Sequence, residues 1–529
     1  MDVLRQSTGK RSTGLLAGSL IFSLGLALLL TWISTHFTSL QGWSAFLLVE
    51  LLCLGLGWGA FRLVRSESPP SWLFVLTLGA GLLRLALGVL WFMILPAYGY
   101  PTPVQQAGYV MDDAYQRDQA AWELAQSGSS LGSAFGGYPA ADQYGGLLFL
   151  SAAIYRLSGI LYHAPLLIVV LAAALAALSV PLTWAFTRRL WQEPAAKLAA
   201  WGIALYPEAA LLGSSQMREA LMIPLAALAL YGLLRYKQDH TWHGPMLIVS
   251  ALGVSLPFSP PFTAMLLVLL VILAPVLLQW RLLLKRQVWL ILAGLSVVTL
   301  AGIWLSWGQV APQGTQNPLE YLRWFIQKSA EYQAYLSKQA SGWLQAIFRS
   351  TPEWLHLPFL LVYGVLRPLL PAALASGGNP VWQGIAIWRS LGWMIILFLL
   401  AFALLQAFRQ PKKDKTLLAL WLLMVVVMLV ASFRGGADDW DNPRYRAMFA
   451  APQIALAAWA WAEQQRQPNP RLRQIAISLG LILLWVGAWY IDRYSAFELP
   501  VKDLFQILGL GIASAGLYLL VDWARKKNP

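Results

Sequence analysis

The sequence is poor in the residues from which disulfides and metal centres are built. Among 529 residues it has one cysteine and five histidines. A lone Cys53 inside an apolar run excludes an intramolecular disulfide and a cysteine-based metal site. His240 and His243 share one short loop, too few ligands for a zinc site. Charge is scarce as well: Asp, Glu, Lys and Arg make up 12% of the chain, against about a quarter in soluble globular proteins. A soluble fold is therefore excluded. Acidic residues are the scarcer sign, 24 against 38 Lys and Arg, for a net charge of +14. The basic residues are scattered between apolar segments instead of lining one groove or tail, so no nucleic-acid partner is expected. Also missing are the Gly-x-x-x-x-Gly-Lys phosphate loop, the Gly-x-Ser-x-Gly elbow and the His-Glu-x-x-His zinc helix. Their absence sets aside nucleotide-driven pumping and the commonest hydrolase chemistries.

What is abundant is apolar sequence, 58% of the chain. About twenty apolar residues, rising 1.5 Å each, cross a hydrocarbon core of about 30 Å. Runs of that kind occupy 14–33, 43–64, 72–95, 166–186, 198–212, 221–234, 247–258, 262–280, 288–307, 385–408, 417–433, 448–461, 475–490 and 504–521. They predict an all-α polytopic membrane protein with about fourteen transmembrane helices. The first run has a basic flank but no small-residue cleavage site, so it reads as a retained anchor. Two further stretches, 145–161 and 357–374, are shorter or broken by Pro368 and Pro371. Leaving both as interfacial or re-entrant helices puts Arg5, Lys10 and Arg11 on the cytoplasmic side with the loops of Arg62/Arg65, Arg188/Arg189/Lys197, Arg235/Lys237, Arg281/Lys285/Arg286, Arg409/Lys412/Lys413/Lys415 and Arg466/Arg471/Arg473. The Arg525-Lys526-Lys527 tail joins them. Making both span would put three of these basic loops outside, against the positive-inside tendency.

The expected organisation is N-terminal transmembrane helices over 1–95, a first outer loop with juxtamembrane helices over 96–163, and central transmembrane helices over 164–307. A second outer loop with a re-entrant helix follows over 308–384, and C-terminal transmembrane helices over 385–529. The protein is expected in the plasma (inner) membrane with both termini cytoplasmic. Its long polar segments, 96–144 and 308–356, and the shorter 434–446 then face outward, where loops of such length are expected to bind or catalyse.

The first of these segments reverses the sign of the chain: Asp112, Asp113, Asp118, Glu123 and Asp142 stand against Arg117 alone. Residues 114–125 have helix-forming composition. Two readings stand for the acidic pair. Asp113 is an N-cap with Asp112 a solvated neighbour, or the pair supplies a general base or cation ligand at the mouth of a membrane cavity, since adjacent carboxylates push their pKa values apart. A second constellation, Ser214 to Glu219, follows Tyr206-Pro207-Glu208. There Arg218 either pairs with Glu219 or Glu208 at the interface, or grips a phosphate with its planar fork. The third spans 434–446, with Arg434, Arg444 and Arg446 among Asp438, Asp439 and Asp441. Arg444 and Arg446 sit where the chain re-enters the membrane, and phosphate contact is expected of them. Glu50 and Arg84, about one helical turn apart in depth, are expected to form a structural buried pair.

Taken in order, these segments resemble the GT-C superfamily of integral-membrane glycosyltransferases, particularly its protein-mannosyltransferase and aminoarabinose-transferase-like branch. The resemblance rests on the acidic pair Asp112-Asp113, the Gly137-Tyr138-Pro139…Gln143-Tyr144-Gly145-Gly146 segment, the Tyr206-Pro207-Glu208…Arg218-Glu219-Ala220 stretch and Asn442-Pro443-Arg444-Tyr445-Arg446. It covers residues 72–465. It implies transfer of a sugar, with inversion, from a polyprenyl-phosphate donor to a protein, lipid or glycan acceptor on the outer face. Asp113 would act as base, with Asp112 as the alternative. Arg218, Arg444 and Arg446 would hold the carrier phosphate, with Glu219, Tyr138, Gln143, Tyr144 and Arg434 in contact with substrate. No cofactor is required by the resemblance, which leaves a divalent metal, Mg or Mn, open, with Asp113 and Glu219 as its ligands. Relatives carry an arginine where the helix after the first loop begins; the nearest candidates here are His163 and Arg156. A glycan ligase or polymerase is the alternative within the same chemistry. A lipid or sugar transporter or flippase is the alternative outside it, and a non-catalytic assembly subunit is a further one.

Overall fold

The computed structural model describes residues 20–278, 342–409, 415–495 and 498–527, except 36 and 437, with isolated positions between 293 and 331. The chain opens with α1 (Leu20–Ser34), α2 (Trp43–Leu63) and α3 (Ser71–Tyr98). A polar stretch follows with α4 (Pro103–Gln106), α5 (Asp112–Gln126) and α6 (Gly146–Ser158). The bundle resumes with α7 (Pro165–Ala177), α8 (Ser179–Leu205), the short α9 (Pro207–Gly213), α10 (Glu219–Asp239), α11 (His243–Ser255) and α12 (Pro260–Leu277). Beyond residue 341 come α13 (Gly342–Ser350), α14 (Glu353–Leu366), α15 (Leu370–Ala375), α16 (Pro380–Arg409), α17 (Lys415–Gly435) and α18 (Asp441–Ala447). The last three are α19 (Ala450–Arg466), α20 (Arg471–Tyr494) and α21 (Leu504–Lys527).

Nine helical stretches among the described residues are long and apolar enough to cross a membrane, fewer than the fourteen expected. Each of the other five has a specific reason. The run 288–307 lies outside the described residues, and 14–33 is described only from Leu20. The runs 247–258 and 448–461 fold as α11 and α19, of 13 and 17 residues. The run 198–212 joins its predecessor in one helical stretch, Pro165–Leu205. Helical geometry nevertheless fails within that stretch at Trp191 and at Gln192, whose φ is 70°. The chain reverses there. Gly81 lies beside Ala177, and Gly213 packs on both Ala176 and Arg84, while Arg84 itself reaches the carbonyls of Ile203 and Ala204. The end of α7, ahead of the bend, and the end of α8, beyond it, therefore lie against one patch of α3, as two antiparallel passes require.

Pro207 explains why the second pass stops early. A proline offers no N–H to the carbonyl four residues back and disfavours helical geometry in its predecessor. Tyr206 accordingly turns out of the helix (ψ 118°). The orphaned Ile203 carbonyl and its neighbour on Ala204 instead accept from Arg84, at 3.0 and 3.2 Å. That use of Arg84 corrects the expected pair: no salt bridge joins it to Glu50, whose two carboxylate oxygens have no hydrogen-bond partner.

Burial grades the bundle from centre to rim. The apolar window of α10 is 89% buried, whereas those of α20 and α21 are 17% buried. Rim helices that are apolar on every face suit a lipid surround. At one end, the loops expected to share a face meet. Arg189 joins Glu67 and Asp239, and Arg235 joins Asp239. α6 is about 20 Å long, too short to cross. It packs along α5, with Arg156 donating to the carbonyls of Leu124 and Ser129. Most of residues 308–341 of the expected second outer loop lie outside the described residues, as do Arg5, Lys10, Arg11, Arg281, Lys285, Arg286, Lys412 and Lys413.

Candidate functional site

At the opposite end of α10, three helices begin side by side, and each carries a carboxylate in its first turn: Asp112 and Asp113 on α5, Glu219 on α10 and Asp441 on α18. Helix N-termini favour negative charge. Three carboxylates converging there repel one another unless a cation lies between them, and α18 supplies it. Its start is fixed by Asp438, whose Oδ1 accepts from the backbone N–H of Trp440 and Asp441 at 2.7 and 2.6 Å. Asn442 then ties it to α14, donating to the carbonyls of Gly364 and Gly436 at 2.6 and 2.9 Å. Gly364 is required there, because a Cβ would collide with Ser432 Oγ.

So placed, Arg444 bridges all three. Its Nη1 lies 3.0 Å from Asp113 Oδ2 and 3.6 Å from Asp441 Oδ1, and its Nε lies 3.1 Å from Glu219 Oε1. Arg218 stands beside the cluster, 3.9 Å from Glu219 and 5.0 Å above the ring of Tyr144. Glu219 is fully buried while the Asp113 side chain is 44% exposed, so the cluster opens at Asp113. Burial pushes the Asp113 carboxyl up, but Arg444, Arg117 and Arg218 outweigh it and hold the group below the usual carboxylate range. Asp441 moves the other way, raised by burial and by Asp438 and Asp113 against the pull of Arg444. Burial alone would weaken the charge on Arg444, yet Glu219, Tyr445, Asp441 and Asp113 hold its pKa above the ordinary value.

The structure brings together only part of the expected set. Asp113, Arg218, Glu219, Tyr144 and Arg444 form the cluster. Asp113 is not an N-cap: α5 begins one residue earlier, Met111 holds the cap position, and no side chain caps it. Asp112 is exposed and accepts from Gln116 Nε2 at 2.6 Å. Tyr138 packs half-buried against the apolar cluster around Leu124, Ala134 and Leu148, and Gln143 is exposed. Arg434 lies 5.9 Å from the ring of Tyr445. Arg446 is a correction. Two residues beyond Arg444 it points roughly 200° around the helix, into the interior, where it lies 3.4 Å over the Trp393 ring and donates to the Val365 carbonyl. Glu208, expected as one partner of Arg218, instead forms a bidentate pair with Arg389 at 2.8 and 3.0 Å.

Sequence reasoning passed over the buried side of α5. Arg117 donates to the Gln216 carbonyl at 3.0 Å and lies 3.4 Å from Asp142. Asp118 is fully buried and accepts from Tyr109, Tyr155 and His163. The signal was present: Arg117 and Asp118 share the helical face of Ala114, Ala121 and Leu124, and charges on an apolar face demand partners.

Among the described residues no group of three or more His, Cys, Asp or Glu could hold a metal ion. The Arg444 guanidinium sits between Asp113 and Glu219, where an ion shared by those carboxylates would lie. This arrangement does not fit the Mg or Mn ion that the resemblance left open.

No protein-family model matches the chain, and no curated protein does. Among solved structures it is similar to the archaeal oligosaccharyltransferase AglB from Archaeoglobus fulgidus in complex with an inhibitory peptide and a dolichol-phosphate. Identity is 17% and the TM-score 0.42, covering 84% of this chain and 56% of that one. It is also similar to the apo form of the Archaeoglobus fulgidus oligosaccharyltransferase, at 15% identity and a TM-score of 0.40, covering 83% of this chain and 56% of that one. The chain thus spans just over half the length of these structures.

Proposed function

We propose that this chain is a membrane glycosyltransferase of the GT-C type, taking a sugar from a polyprenyl-phosphate carrier to a protein, lipid or glycan hydroxyl on the non-cytoplasmic face, with inversion. The observation that carries the reading is one guanidinium, Arg444, shared by Asp113, Glu219 and Asp441 with Arg218 alongside. Such chemistry needs a base for the acceptor, cationic donors for the departing phosphate and alignment between them. A phosphate is stable as an anion, so no separate acid is required.

The shared guanidinium links the two halves of the reaction. An incoming donor phosphate competes with Asp113 for Arg444, because Arg binds phosphate and carboxylate through the same fork. As Arg444 turns to the phosphate, its hold on Asp113 weakens and the carboxylate becomes more basic. The acceptor oxygen then attacks the anomeric carbon and its proton passes to Asp113. The bond from that carbon to the phosphate oxygen breaks, and the phosphate leaves on Arg218 and Arg444. Glu219, buried behind both arginines, keeps them oriented.

The test is transfer of labelled sugar from polyprenyl-phosphate donors by purified protein in lipid nanodiscs. Transfer that collapses in a folded Asp112→Asn/Asp113→Asn variant supports the reading; full activity there sinks the catalytic assignment. Passage of an unaltered sugar or lipid across a liposome membrane would favour a transporter instead.

A further inference from the structure

α5 carries a second carboxylate whose setting differs from that of Asp113. Asp118 is fully buried, and it accepts hydrogen bonds from three separate segments of the chain. Tyr109, before the helix, donates its hydroxyl to Oδ2 at 2.5 Å. Tyr155, on α6, donates to Oδ1 at 2.8 Å. His163, in the turn before α7, places Nε2 2.7 Å from Oδ2. Nε2 is thus the ring nitrogen that faces the carboxyl group. The imidazole is held in that position by stacking on Trp122, with centroids 5.6 Å apart and planes at 29°. Trp122 is itself on α5, one turn beyond Asp118, so both faces of the contact belong to the same helix.

We propose that Asp118, with Tyr109, Tyr155 and His163, is a positioning node that sets the depth and rotation of α5 and thereby presents Asp113 to Arg444. Four observations carry it. The node binds α5 to elements on either side of it in sequence, so a slip of the helix along its axis breaks all three bonds together. α5 is a 15-residue helix whose buried apolar residues are three alanines and Leu124, beside the buried charges Arg117 and Asp118. Its neighbour Arg117 is tied to a different place, the Gln216 carbonyl and Asp142, so the two residues constrain the helix from two directions. Asp113 lies less than two turns away on the same rigid rod, and the cation it pairs with, Arg444, belongs to another helix. A shift of about 1 Å at such a contact is enough to cost about 100-fold in rate.

The inference rests on the reading of Asp113 and Arg444 as reaction partners, and it has a readout that does not. In wild-type protein in nanodiscs, Asp113 is labelled with a water-soluble carbodiimide and glycine methyl ester, and uptake is read by peptide mass spectrometry. Asp118→Asn keeps size and shape but replaces one acceptor by a donor. It is expected to raise labelling of Asp113 about threefold or more at fixed pH, with Asp112 labelling unchanged as the internal control. His163→Ala is expected to raise Asp113 labelling in the same way, while His163→Gln, which keeps an N–H donor, is expected to keep it near the wild-type level. In transfer assays Asp118→Asn is expected to lower kcat about 30-fold or more and to change the donor KM less than threefold. Unchanged Asp113 labelling in a folded Asp118→Asn protein overturns the positioning role, as does a labelling increase spread equally over Asp112 and Asp113. Should wild-type protein transfer no sugar while the labelling pattern holds, the node stands and the proposed reaction falls.

Discussion

Two guanidiniums at opposite ends of the bundle each bridge carboxylates from different helices, and they are bonded differently. Arg189 donates Nε to Glu67 at 2.7 Å and both Nη groups to Asp239 at 3.0 and 3.2 Å. Its donors face acceptors at good geometry, and the cluster is a closed brace between the segment before α3, the bend in α8 and the end of α10. Arg444 is within 3.6 Å of three carboxylates, yet its Nε and both Glu219 oxygens lack hydrogen-bond geometry. Arg218 adds a second cation, and Asp113 is half-exposed. The first arrangement satisfies its charges within the protein. On the proposed reading, the second keeps hydrogen-bonding capacity for an anion that comes and goes; buried polar atoms of Glu50, Arg84 and Arg446 also lack partners, and the cluster differs from them in opening to the surface at Asp113.

The sharpest way to break this contrast is to damage both arginines and compare losses. Arg444→Lys keeps the charge and removes the fork. It is expected to cut transfer about 10³-fold with little change in thermal midpoint, measured on the same nanodisc sample. Arg189→Gln is expected to leave kcat intact and to destabilise the fold by about 1 kcal/mol, the scale of a partly exposed ion pair. If both variants lose activity and stability in parallel, Arg444 is only another brace. Next in size, Asp113→Asn is expected to lower kcat by about 10²-fold or more, the contribution of a general base, while Asp112→Asn costs less than about threefold by the same scale. A comparable loss in both would move the base assignment to the pair as a whole. Arg218→Gln is expected to raise the donor KM about tenfold, the value of one charge-assisted hydrogen bond, with a smaller change in kcat. Binding of the bare carrier phosphate, followed by fluorescence, checks it.

The smallest expected effect is on pH. Asp113 is held below the usual carboxylate range, so it stays ionised until pH falls through that lowered value. In wild type, the acid limb of kcat/KM should therefore lie below about pH 4. The Asp113–Arg444 pair contributes stability above the unfolded carboxyl's pKa, and that contribution is lost as pH falls through the lowered folded value. Removing the cation with Arg444→Gln leaves only Arg117 and Arg218 to oppose burial at Asp113, and the limb should move upward. A limb that stays in place shows that another group titrates there. Asp441, raised by the same burial, is the first to examine.

Much of the fold was readable because a bilayer imposes a length on apolar runs. Most boundaries of the long spans follow the runs within a few residues; the shortfall in number lies at 14–33 and 288–307, which are partly or mostly outside the described residues, at 247–258 and 448–461, which fold short, and at 198–212, where Pro207 breaks a continuous apolar stretch. The proline rule was available there and hydropathy masked it. The site was readable as three separate constellations, because charges at helix mouths stand out against an apolar chain. Their meeting was not readable. Asp113, Glu219 and Arg444 belong to three different regions of the chain, and only packing shows that Arg444 faces inward to the cluster while Arg446 faces Trp393. The pairing of Asp118 with His163 was not readable either, because Asp118 counted only as one of five acidic residues and His163 only as a candidate for the relatives' arginine. Their significance comes from burial and from each other.

A double-mutant cycle on transfer tests the central claim, that Asp113 and Arg444 act as one unit. Rates of labelled-sugar transfer are measured for wild type, Asp113→Asn, Arg444→Lys and the double variant in identical nanodiscs. Residues that work as a unit are far from additive. The double variant is expected to be no slower than the slower single variant within about threefold. Losses that multiply, with the double variant slower by the product of the two single effects, would show that the residues act independently and would contradict the account.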